Sequence, residues 1–128
     1  VIVSVPTPLY AHIAFSPPLP AAKSAAATSS FLGHTSKSIV VYDSPWWPER
    51  GFSDVCNSDC GPIGFTRDTC IEQDGQFSMI CFMVGYAGRE WSKCKPEEQR
   101  CQVAEQIRTM FAAEGGDVPE PRKILLQD

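Results

Sequence analysis

Along Phe77–Val84 the hydrophobic pattern has a period of two: on an extended chain Phe77, Met79, Cys81 and Met83 point one way, Ser78, Ile80, Phe82 and Val84 the other. Large apolar side chains fall on both sides, so the segment is expected to be a central strand with both faces covered. A second run, Ser38–Tyr42, is β-branched and apolar and stops at Ser44-Pro45, which predicts another strand. Shorter strands are expected at Val1–Val5, Asp54–Asn57, Ile63–Thr66 and Lys123–Leu126. After Gly85 the period changes. Val103, Ile107, Met110 and Phe111 recur at i, i+4, i+7 and i+8, one apolar face of a helix running from Pro96 to about Ala113. Glu97, Gln99, Arg100, Glu105 and Arg108 fall mostly off that face. Pro96 suits a first helical turn, Glu97 and Glu98 oppose the helix dipole favourably, and Gly115-Gly116 ends the helix.

The remaining segments read as connections and short helices. Ala21–Thr28 is alanine-rich and helical by propensity, closed by Ser29, Ser30 and Gly33. Pro6–Phe15 predicts a turn, a short helical piece and an extended Ile13–Phe15. Pro45–Phe52 reads as a loop holding Trp46 and Trp47, whose large rings serve packing, and Ala87–Lys93 as a short helix. Asp59-Cys60-Gly61-Pro62 and Glu72–Gly75 are turns. The expected fold class is α+β, a mixed and largely antiparallel sheet covered by a C-terminal helix.

Composition narrows the partners. A chain of 128 residues is one ordinary domain in size, and its net charge of -4 supplies no basic patch for a nucleic acid. From Val1 to Tyr42 only Lys23 and Lys37 are formally charged, so that half is expected to be the more enclosed. No run reaches the ~18 apolar residues of a membrane span; Met79–Val84 is too short. Prolines interrupt any secretory leader, and a start on Val1 within an apolar run reads as a piece of something longer. The cysteines at 56, 60, 70, 81, 94 and 101 form no C-x-x-C pair and lie far from His12 and His34. That pattern argues against zinc and favours free, partly buried thiols over a disulfide framework, hence an intracellular rather than a secreted compartment.

General catalytic motifs are absent. The glycines at 61, 64, 75, 85 and 88 never spell a dinucleotide or phosphate loop, and no serine sits in G-x-S-x-G. One charge is conspicuous. Lys37 leads directly into Ile39, Val40, Val41 and Tyr42, and an ammonium costs several kcal/mol to bury without compensation. It marks either a functional surface or merely a strand end.

The succession VIVSVPTPL, IAFSPPLP, LGHTSKSIVVYDSPWW, GPIGFTRDTC, ICFMVG, GREW and KPEEQR resembles the central part of flavin-containing amine oxidases, the monoamine oxidase family. The resemblance runs through essentially the whole chain in register. It implies an edge segment of an FAD-binding domain over residues 1–28 and a substrate-domain portion over 29–128. It implies FAD, a small-molecule amine substrate, oxygen as acceptor, and the remainder of a parent chain as partner. By the same resemblance Lys37 matches the lysine that the family places near flavin N5, a catalytic and cofactor-binding position where positive charge helps electrons pass to oxygen. Phe65 matches an aromatic residue beside the substrate entrance and Phe82 one lining the cavity. Cys81 stands where the family commonly has glycine, and Asn57 near a position it lines with apolar side chains. The family's flavin-binding segments, a dinucleotide loop and a G-T-E stretch, have no counterpart among these residues, so the 128-residue chain alone is expected to be inactive. A non-catalytic product or binding module that lacks flavin is the alternative.

Overall fold

The computed structural model describes residues 2–53, 55–112 and 117–127. The chain divides into two compact units, Val1–Gly33 and His34–Asp128.

In the first unit a 3-10 helix, Thr7–His12, begins after Pro6, and helix α1, Ala21–Ser29, after Pro20. The Pro20 carbonyl accepts the Lys23 and Ser24 amides at 2.9 and 3.0 Å, so proline opens the helix without needing a donor of its own. Ala27 is the one buried residue of α1. Two expectations fail here. Ile2–Val5 is exposed and unpaired rather than a buried strand, because the unit offers no strand against which to form a ladder. The scarcity of charge does not signal enclosure either: most of the described residues of this unit are exposed.

The second unit is built on a four-stranded antiparallel sheet of β1 (Thr35–Tyr42), β2 (Ile63–Asp68), β3 (Phe77–Val84) and β4 (Lys123–Gln127), ordered β2-β3-β1-β4. Every pairing of its strands among the described residues is antiparallel, in keeping with the largely antiparallel sheet expected, and β3 lies inside the sheet as its pattern required. Helices α2 (Trp46–Glu49), α3 (Gly85–Trp91) and α4 (Pro96–Met110) accompany it, and a 3-10 turn, Glu72–Asp74, links β2 to β3. The tryptophan loop is thus a single helical turn, and Asp54–Asn57 is not a strand: only Asn57 bridges to Phe65, while Asp54 lies outside the described residues. Helix α4 ends at Met110, and the expected stop at Gly115-Gly116 also lies outside them.

One sheet face and the α4 stripe form the core: Val40, Tyr42, Met79, Cys81 and Met83 with Val103, Ile107 and Phe111, joined by Trp46, Trp47 and Trp91. Two glutamines belong to it. Gln106 accepts the Ile63 amide at 2.7 Å and donates to the Ile63 carbonyl at 2.9 Å, tying α4 to the first residue of β2. Gln99 donates to the Trp91 carbonyl at 3.1 Å while its own carbonyl accepts the Trp91 indole N–H at 3.3 Å. Both are buried, contrary to the expected polar face for Gln99, because their side-chain amides find hydrogen-bond partners on the backbone.

Candidate functional site

The opposite sheet face is not covered by α4, and it carries all three residues singled out in the sequence. Antiparallel register sets Lys37 beside Phe82 on β3, and Phe82 beside Phe65 on β2, in one row across three neighbouring strands. The row depends on a bulge. Ile63 pairs with Met83 while Phe65 pairs with Phe82, so Gly64 is an extra residue that lets Ile63 face the core and Phe65 the open side. A Cβ on Gly64 would lie 2.9 Å from Val84 Cγ2, so the small residue also suits the crowding at the bulge.

The phenyl rings of Phe65 and Phe82 stack with centroids 4.5 Å apart and planes 14° apart. Lys37 Nζ lies 5.5 Å from the Phe82 centroid. At the other end the guanidinium of Arg67 lies 5.6 Å from the Phe65 centroid. The result is a stacked apolar pair with a cation beside each ring. Lys37 is the third residue of an eight-residue strand rather than the mouth of a shorter one, and its side chain is exposed, so the burial cost anticipated for its charge does not arise here. Neither Lys37 nor Arg67 forms an ion pair among the described residues.

Supporting elements hold this row from behind and at its edge. Asn57 bridges to Phe65, the Ser58 amide donates to the Gly64 carbonyl at 2.9 Å, and the Thr66 amide donates to the Cys56 carbonyl at 2.9 Å, so residues 56–58 brace the bulged edge. Cys81 faces the core behind Phe82 in an unbroken register with β1; burial pushes its thiol up to about 12, which makes it a packing residue. The remaining cysteines are also free. Arg67 was not marked by any sequence motif. Its signal was its position two residues after Phe65, which puts it on the same strand face.

Lys37 would fit one edge of a flavin by its chemistry: an ammonium with free N–H donors suits the acceptor nitrogens and carbonyl oxygens of that ring edge and the negative charge the ring gains on reduction. The chain has no glycine loop for the cofactor's phosphates.

The whole chain, residues 1–128, matches the family model described as flavin containing amine oxidoreductase. A protein of Dictyostelium discoideum named "Probable flavin-containing monoamine oxidase A" is 29% identical over 103 residues, 80% of this chain and 23% of its own length. The flavin-containing amine oxidase B of Sus scrofa is 30% identical over 101 residues, 77% of this chain and 19% of its own. In fold, wild-type putrescine oxidase bound to putrescine superposes with a TM-score of 0.77 at 22% identity, covering 98% of this chain and 27% of that one. The chain therefore spans roughly a quarter or less of the curated relatives it matches. The match over every residue and the shared α+β architecture place it as a member of the flavin-containing amine oxidoreductase family.

Proposed function

We propose that this chain is the substrate-domain portion, with an edge of the FAD-binding domain over residues 1–28, of an FAD-dependent amine oxidase that uses oxygen and releases hydrogen peroxide. The observation that carries the reading is the row Lys37–Phe82–Phe65, three residues distant in sequence meeting on one open sheet face. Bound FAD would supply the redox chemistry, acceptance of a hydride equivalent from the carbon next to the amine nitrogen and its passage as electrons to oxygen, with Lys37 among the residues that would hold it. The chain's own residues supply position and field. Lys37 places a fixed positive charge and N–H donors at the flavin edge, where negative charge develops as oxygen is reduced. Phe82 and Phe65 form an apolar wall that orients the substrate and keeps water from it. Two nearby cations and an apolar wall also favour the neutral amine, whose lone pair is available, over the ammonium.

The direct test is the purified intact protein that carries this chain. It is expected to be yellow, with flavin absorbance that bleaches when an amine is added without oxygen and returns on aeration. A colourless protein with no released flavin would overturn the reading in favour of a non-catalytic module.

A further inference from the structure

We infer that Arg67 selects the substrate by charge: it receives a carboxylate at the end of the substrate remote from the reacting amine and turns away diamines. This rests on the amine-oxidase reading above, with the reacting end at Lys37. From that end a substrate extending along the row passes Phe82 and then Phe65, whose ring centroid lies 5.6 Å from the guanidinium of Arg67, a residue further along β2 and paired with Ile80.

Arg67 has donors to spare. Its one hydrogen bond among the described residues runs from Nη1 to the carbonyl of its neighbour Thr66 at 3.3 Å, and it forms no ion pair. The planar fork resting on a ring is held ready for bidentate contact with a carboxylate. The surrounding charge points the same way. On this sheet face β1 presents Lys37, Ile39 and Val41, and β4 presents Lys123, Leu125 and Gln127. Opposite them β3 presents Ser78, Ile80 and Phe82, and β2 Phe65 and Arg67. Three of these side chains are cations and none is a carboxylate. Among these strand residues a second ammonium carried to the Phe65 end meets only like charge, whereas a carboxylate there is attracted.

The experiment compares three substrates of one length, δ-aminovalerate, pentylamine and cadaverine, with the intact holoenzyme and its Arg67→Gln, Arg67→Glu and Arg67→Lys variants. Flavin content and absorbance are measured for each. The wild type should prefer δ-aminovalerate to cadaverine in kcat/KM. Arg67→Gln should lower that preference about tenfold or more, mainly through KM, as expected for a lost charged hydrogen bond. Arg67→Glu should invert it, and Arg67→Lys should keep most of it. A preference unchanged in flavin-loaded Arg67→Glu, or a wild type that favours cadaverine, would overturn the inference while leaving the oxidase reading intact. A wild type without flavin, or one that oxidises none of the three or any other amine, would bring down that reading and this inference with it.

Discussion

Asp68 shows how a single side chain on β2 secures the sheet behind the candidate site. Its Oδ2 accepts the Trp47 indole N–H at 2.8 Å and its Oδ1 accepts the Cys70 amide at 2.6 Å. Burial by itself would raise this carboxyl, but the hydrogen bonds from Cys70 and Trp47 outweigh it and hold the group below its usual range. A folded-state value below the unfolded one means that the unfolded chain binds more protons between the two, so stability rises with pH there. The contribution is present above the unfolded value of about 4 and is lost as pH falls through the folded value. Replacing Asp68 with Ala should cost about 1 to 3 kcal/mol near neutral pH, since Trp47 and Cys70 lose their acceptor. Denaturant midpoints measured from neutral to acid pH should show the gap between wild type and variant closing at the acid end. A constant gap would mean that the carboxylate's charge plays no part.

Among the elements, α3 is the one whose approach to the sheet tolerates least change. Gly88 lies in α3, and a Cβ there would stand 2.5 Å from the backbone carbon and oxygen of Met83. Backbone cannot yield as a side-chain tip does, so Gly88→Ala should destabilise by about 1 to 3 kcal/mol, read as a lowered melting temperature. No change would mean that α3 shifts freely. The strand β3 was legible residue by residue because its alternation is a local property, and α1 and the stripe of α4 were legible for the same reason. The bulge at Gly64 was not. It exists only in the pairing of β2 with β3, and nothing within Ile63–Thr66 alone reports that Ile63 and Phe65 face opposite sides. Gln106 escaped notice likewise, since its partners at Ile63 lie 43 residues away. Ile2–Val5 departs the other way, Val1 lying outside the described residues: strand propensity is a preference that only a neighbouring strand can satisfy.

At the scale of the whole molecule, register brings three separate residues into one row, the candidate site. Lys37, Phe65 and Phe82 came to attention through resemblance to a family, and the sheet sets them side by side. Arg67 needed the fold for its relation to Lys37, which exists only across three strands, whereas its nearness to Phe65 follows their spacing on β2. The site is an open face in this chain, and no glycine loop for a dinucleotide accompanies it. The 128-residue polypeptide should therefore retain no FAD after mixing and gel filtration; coelution of flavin absorbance with the protein would contradict that expectation.

Lys37 carries the central claim, that this sheet face meets the flavin and supplies charge to the step with oxygen. In the intact protein, Lys37→Met removes the ammonium while keeping a side chain of similar length on the exposed face of β1. Stopped-flow reoxidation of the anaerobically reduced flavin, with flavin content matched between the two proteins, should then be slower in the variant by on the order of tenfold or more. An unchanged rate would contradict the account.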